Sequence, residues 1–222
     1  MRVKLVGCTQ PTDEFKEEGM GDVQDLISFC ARVSNPSNQM NMETTKKLLN
    51  YLAKHKHWSP FEMASATMEI ETTRDIARQM LRHRSFAFQE FSQRYADPRE
   101  FGDSFVLREA RLQDTKNRQN SIDNADSKLE AEWRMRQQHV IDAAKEHYNW
   151  AIYNGIAKEQ ARAVLPEGNT KSRLYMQGSI RSWVHFIELR SGNGTQKEHI
   201  EVAKACAEAI TKIFPMVNDF VE

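Results

Sequence analysis

Between residues 65 and 81 the apolar pattern changes its period with no glycine or proline in between. Ala66, Met68 and Ile70 alternate with Thr67, Glu69 and Glu71, the period of a strand with one buried face. Ile76, Ala77, Met80 and Leu81 then fall on one face of a helix, with Gln79, Arg82 and His83 on the opposite face. Thr72 and Asp75, three apart, suit a capping pair at the junction. This one stretch requires both element types, and it is the first place where a polar face looks organised.

The rest of the chain extends the mixture. Val3-Lys4-Leu5-Val6 reads as a short strand. Residues 22–33 and 42–54 read as helices, the second with Leu48, Leu49 and Leu52 on one face. The segment His55-Lys56-His57-Trp58-Ser59-Pro60 reads as a loop, because proline disfavours helix at the residue before it. Residues 101–107 suggest another strand. The polar stretch 108–120 has no period and reads as a long loop. A long helix is expected over 121–154, with Leu129, Trp133, Val140, Ala144, Tyr148 and Ile152 as its apolar stripe and Asn154-Gly155 as its stop. A short helix over 159–164, a strand over 172–177, a helix from a Ser179 cap to Leu189, and a last helix over 196–214 complete the order. Strands and long helices without regular alternation favour an α+β fold over a doubly wound sheet.

Composition narrows the function by exclusion. With 31 Lys and Arg against 31 Asp and Glu in 222 residues, no global charge drives the chain onto nucleic acid or an acidic membrane. No apolar run approaches the roughly 20 residues needed to span a bilayer, and the first residues lack the apolar core of a signal peptide. Cys8, Cys30 and Cys206 are too few and too scattered for a disulfide framework or a cysteine-rich metal site, and suit a reducing cytoplasm. None has a histidine that the sequence places beside it, so a thiol nucleophile is unsupported. The two usual nucleotide-phosphate loops, G-x-G-x-x-G and Walker A, are absent.

Three constellations remain. Residues 82–95 hold Arg82, His83, Arg84, Glu90, Ser92 and Arg94 interleaved with Phe86, Phe88 and Phe91. The helix dipole favours cations there, and a solvated helix end is the plain reading. The phenylalanines imply partial burial, however, and Glu90 is the only acid within the run. An anionic ligand would supply the missing charge, and arginine forks suit phosphate. His55 and His57 lie near Ser59 and Glu62 but lack the spacing of a metal site. Arg181, His185 and Glu188 share a helix face ahead of Arg190, Gln196 and Glu198; taken alone, a solvated polar face is the plainer reading of them.

Arg82-His83-Arg84 followed after seven residues by Ser92 resembles the R-H-R-x7-S signature of the flavin-dependent thymidylate synthases, the ThyX family. His55 to Glu62 is similar to that family's H-x-H-x-[ST]-P-F-E. Ala31-Arg32-Val33-Ser34, Ala161-Arg162-Ala163-Val164-Leu165-Pro166, the helix Arg181-Ser182-x-x-His185-Phe186-x-x-Leu189-Arg190, and Gln196-x-Glu198 follow in the family's order. The resemblance implies a mixed, mainly antiparallel sheet packed with long helices, in a single domain over 1–222. It implies reductive methylation of dUMP to dTMP, with 5,10-methylenetetrahydrofolate as carbon donor and NADPH as reductant by way of FAD. FAD is expected at Ser59, Arg82, His83, Arg84, Glu90, Arg181 and His185. dUMP is expected at Gln79, Arg82, Glu90, Ser92, Arg94, Arg162 and Arg190, with Arg190 facing the uracil ring as the catalytic residue. No metal, nucleic acid or membrane partner is implied. A cytoplasmic homotetramer with sites at subunit interfaces is, in the host cytoplasm if the source is a virus. Ala87, Ser179 and residues 191–195 depart from the family pattern. The alternative is a non-catalytic nucleotide or single-stranded nucleic-acid binding module, with Arg82, Arg84, Arg94 and the phenylalanines as phosphate clamps and stacking platforms.

Overall fold

The computed structural model describes residues 1–102, 104–192 and 194–219. In chain order its elements are strand β1 (Arg2–Cys8), helices α1 (Asp13–Glu17), α2 (Val23–Ala31) and α3 (Thr45–Lys54), strand β2 (Ser65–Thr73), helix α4 (Arg74–Met80), and strand β3 (Ala87–Glu90). A small ribbon of β4 (Leu112–Gln113) and β5 (Ser121–Ile122) follows, then α5 (Ser127–Tyr153), α6 (Lys158–Ala161), β6 (Lys171–Ser179), α7 (Ile180–Ser191) and α8 (Lys197–Thr211). β1, β2, β6 and β3 form one antiparallel sheet in that spatial order.

The period-two pattern of β2 decides which face is buried. Ala66, Met68 and Ile70 lie opposite Gly178, Met176 and Leu174 of β6, and all six are buried. The other face is polar and self-paired: Arg173 donates to Glu71 at 2.5 and 3.0 Å, and Tyr175 donates to Glu69 at 2.9 Å. Helices α7 and α8 cover the apolar face with Trp183, Val184, Phe186, Ile187, Val202, Ala203 and Cys206. A glycine is needed at position 178 because the Phe86 ring packs directly against it; a Cβ there would overlap the ring.

The strand–helix junctions position the site. β2 runs directly into α4, and β6 runs directly into α7. The two strands pair antiparallel along their whole length, Ser65 opposite Ser179 and Thr73 opposite Lys171. The helices therefore enter the same core from opposite ends of about 30 Å of strand. They are about 10 Å and about 18 Å long, so folding back over the sheet brings their C-terminal ends together.

Several expectations need correction. Residues 101–107 form no strand: Phe105 makes a single bridge to Thr170, and Asp103 lies outside the described residues. The long helix starts at Ser127, capped by Asp126, because Ser121–Ile122 pairs with Leu112–Gln113 across the polar segment 108–120. Its expected apolar stripe is only partly inward. Ala144 and Tyr148 are buried, but Leu129, Trp133 and Val140 are exposed. The cap of α4 is Thr73 rather than Thr72, and Thr73 bonds Asp75. The last helix ends at Thr211, and residues Pro215–Asp219 form a separate 3-10 turn. No helix among the described residues is long and apolar enough to cross a membrane.

Candidate active site

The converging ends of α4 and α7 bring His83 and Arg190 together. Arg190 Nε donates to His83 Nε2 at 2.9 Å, so this imidazole nitrogen carries a lone pair and the ring is neutral. Burial, with the Arg190 charge second, lowers the His83 pKa from 6.5 to about 4. Burial and then the charge of Arg82 lower that of Arg190, which places Arg82 nearby. The loop carrying His83 is tied down: His83 O accepts from Phe86 N–H, Ser85 O accepts from Ser182 Oγ at 3.3 Å, and the Phe86 ring packs on Trp183 at 4.8 Å.

Arg82, Arg84 and Arg190 make no ion pair with any carboxylate among the described residues. Arg190 bonded to a neutral histidine, with Arg82 near it and Arg84 next to His83 in the chain, forms a ready anion site. The expectation that these arginines are buried is corrected: Arg82, Arg84 and Arg94 are exposed in the single chain, while Phe86, Phe88 and Phe91 are half-buried. The charges face solvent while the interleaved rings turn partly inward.

The other expected residues fall into three groups. Glu90, on β3, accepts from Ser172 Oγ at 2.9 Å and lies 3.6 and 3.5 Å from Arg74 and Arg78. Ser92, Arg94 and Arg162 lie beyond it. Arg94 Nε donates to the Glu159 carboxylate and Arg162 Nε to the Glu159 carbonyl, both at 3.3 Å; Ser92 is exposed. On α7, Arg181 pairs with Glu62 at 2.5 Å, next to the exposed Ser59 in the turn Ser59–Glu62. His185 sets its ring edge-on to Trp58 at 4.8 Å, and burial and then Arg181 hold it below the usual histidine range. No ion pair among the described residues joins Arg181 and Glu62 to the Glu90 group.

Gln79 sits half-buried between Gln196 and His199. Its Nε2 donates to Gln196 Oε1 at 2.9 Å, and its Oε1 lies 3.1 Å from His199 Nδ1. Sequence reasoning did not reach Arg74, Arg78, Ser172 or His199. The arginines had a signal: Arg74 and Arg78 are four apart on one side of α4, and Arg82 repeats the spacing just past its end. Cys30 and the fully buried Cys206 have thiols that burial pushes up, away from reactive thiolates.

The half-buried His83 and the buried His199 have a consequence for acid stability. His83 and His199 titrate at about 4 in the folded chain and near 6.5 when unfolded. As pH falls the unfolded state takes up protons first. Stability is therefore full above pH 6.5, declines as pH falls, and the loss is complete below about 4. Urea unfolding at pH 7 and pH 5 should show His199→Leu losing less stability over that interval than the parent. Equal losses would mean that His199 titrates normally.

Residues 18–216 match the protein family described as "Thymidylate synthase complementing protein". A "Probable flavin-dependent thymidylate synthase" of Paramecium bursaria Chlorella virus 1 is 48% identical over 217 residues, 98% of this chain and 97% of its own length. A "Flavin-dependent thymidylate synthase" of Synechocystis sp. (strain ATCC 27184 / PCC 6803 / Kazusa) is 46% identical over 222 residues, all of both chains. Among solved structures, a UMP/dUMP methylase PolB from Streptomyces cacaoi, bound with 5-Br dUMP, is similar at TM-score 0.80 and 27% identity over 99% of this chain and 93% of that chain. Motifs, antiparallel sheet and full-length relatives agree: the chain belongs to the flavin-dependent thymidylate synthases.

Proposed function

We propose that the chain converts dUMP, 5,10-methylenetetrahydrofolate and NADPH, with one proton, to dTMP, tetrahydrofolate and NADP+. The observation that carries this reading is Arg190 bonded to the neutral imidazole of His83, with Arg82 and Arg84 on either side of His83 in the chain and none of the three ion-paired to a carboxylate among the described residues. Such a set fits FAD and dUMP, both of which carry phosphate and both of which carry a ring edge rich in carbonyl oxygens.

Bound FAD supplies the two-electron redox chemistry of the reaction. The chain's part is to bind, orient and polarise. Arg82, His83, Arg84, Arg181, His185, Glu90 and Ser59 hold the flavin cofactor. Gln79, Arg82, Glu90, Ser92, Arg94 and Arg162 hold the nucleotide. Arg190 stabilises negative charge on uracil N3 and O2, which makes C5 a better nucleophile towards the folate methylene. Its hydrogen bond to a neutral acceptor leaves its full charge for that task. Ser92 acts as a hydrogen-bond donor, since no hydrogen bond among the described residues joins its hydroxyl to a base that would activate it. The catalytic unit spans the whole chain and works in the cytoplasm. It assembles as a homotetramer, in which other copies cover the exposed Trp133, Val140, Trp150 and Tyr153 of α5.

Arg82→Ala tests the phosphate clamp. Charge-assisted hydrogen bonds contribute about 1.5–3 kcal/mol each. Titration of the purified protein with dUMP and with FAD should therefore show at least one affinity reduced by about ten- to a hundredfold. Parent affinities for both ligands would remove Arg82 from the site. A parent protein that is colourless and takes up no flavin would remove the reading itself.

A further inference from the structure

Glu198, in the first turn of α8, begins a chain of hydrogen bonds whose directions are all forced. Its carboxylate lies 2.6 Å from Arg111 and 3.2 Å from Arg108. Burial opposes its charge, but the bond from Arg111 and the other donors outweigh this and hold its pKa below the usual value. An ionised carboxylate only accepts. Gln196 therefore turns its Nε2 to Glu198, at 2.9 Å, and its Oε1 to Gln79. Gln79 must then donate from Nε2 to Gln196, at 2.9 Å, and turn its Oε1 to His199 Nδ1, at 3.1 Å. It follows that His199 carries its proton on Nδ1, and that its Nε2 is a lone pair.

That lone pair is buried and has no hydrogen-bond partner among the described residues. The ring itself is fully buried, with Phe186 at 5.7 Å and His83 at 6.5 Å. A buried acceptor left unpaired destabilises a fold, and an apolar side chain would fill this space without that cost. Stability does not explain a histidine here. Its other nitrogen does: Nδ1–H is the donor that completes the hold on Gln79. If the Gln79 amide turned over, its oxygen would face the Gln196 oxygen and its NH2 would face the His199 N–H, two repulsive contacts in place of two bonds.

We propose that His199, with Glu198 and Gln196, is a positioning residue that locks the Gln79 amide in one orientation, so that the second N–H of Nε2 is a fixed donor to the nucleotide. This rests on the reading of Gln79 as a nucleotide contact. A free glutamine side chain would have to be ordered when the nucleotide binds, and would present oxygen as readily as nitrogen. A locked one presents a donor to a ligand whose polar edge is mainly oxygen acceptors.

The test uses the FAD-loaded protein and titration calorimetry with dUMP. His199→Leu should bind dUMP about tenfold more weakly, the size of one ordinary hydrogen bond, with flavin content unchanged and thermal stability equal or higher. His199→Asn, whose Nδ2 can stand in for Nδ1, should recover most of the affinity. Gln196→Met breaks the same chain one link earlier; it should match His199→Leu, and it carries the test should the leucine variant not fold. Parent-like dUMP binding in His199→Leu or Gln196→Met, with weakened binding in Gln79→Ala, would overturn the locking role. So would equal losses in the leucine and asparagine variants. Parent-like binding in Gln79→Ala would instead show that Gln79 does not touch the nucleotide, and the proposal would fall with that assignment.

Discussion

Replacing Arg190 by alanine should slow dTMP formation by about 10²- to 10³-fold while leaving flavin bound, the usual consequence of deleting one preorganised donor to a developing negative charge. The size follows from how the guanidinium is held. It stands at the last turn of α7 and is half-buried. It donates through Nε to a histidine that is neutral at working pH. A carboxylate partner would have cancelled most of its charge before any substrate arrived. The imidazole fixes the direction of the group and leaves the charge. Arg190→Lys should not restore the rate, because a lysine cannot bond His83 along one edge and present a planar fork along the other. The variants should be purified with flavin bound, and NADPH oxidation and dTMP formation measured together. Formation of dTMP at the parent rate in Arg190→Ala would reduce the residue to a charge at a helix end.

Trp183→Ala should cost the fold about 3–5 kcal/mol, a large part of the roughly 5–15 kcal/mol that holds a typical domain. The indole is fully buried on α7, and its Nε1 donates to the Ala66 carbonyl at 3.0 Å. Its ring meets Phe86 at 4.8 Å and Phe186 at 6.0 Å. Deleting it leaves a cavity that Phe86 cannot fill without leaving Gly178. Phe86 follows the Arg82-His83-Arg84 triplet, so the damage reaches the arginines as well. Trp183→Phe keeps most of the packing and loses one hydrogen bond, for which about 1 kcal/mol is expected on top of the lost volume. Urea unfolding of both variants measures the two losses. A cost for Trp183→Ala below that of Trp183→Phe would mean that the site collapses and that the indole is not a keystone of the core.

The parts of the fold that were legible in the sequence are those where a local pattern and the tertiary contact agree. In β2 the alternation of Ala66, Met68 and Ile70 is the buried face, because α7 and α8 cover that side of the sheet. The step from β2 to α4 was legible for the same reason. The long helix was misread where local pattern and contact part. Trp133 and Val140 have helical spacing but face away from the core of their own chain. Ser121 and Ile122 pair with a short strand that no period announces. At the candidate site, Arg82, His83 and Arg190 were singled out through motifs, and the two strand–helix junctions explain why His83 and Arg190, so far apart in the chain, meet. His199 was invisible: one histidine in an amphipathic helix carries no signal until the orientation of Gln79 is known. Glu90 was found, but its three partners come from α4 and β6, and only the fold puts them beside it.

The unpaired arginines also shape how a ligand arrives. The chain has equal numbers of acidic and basic residues, so a cluster of uncancelled cations at one place leaves the rest of the surface with an excess of negative charge. The three arginines then form a local positive pole. The nucleotide monophosphate proposed above would be drawn towards that pole, which raises productive encounters without any change in net charge. The attraction acts over about a Debye length, near 8 Å at physiological ionic strength. Added salt therefore weakens capture before it weakens chemistry.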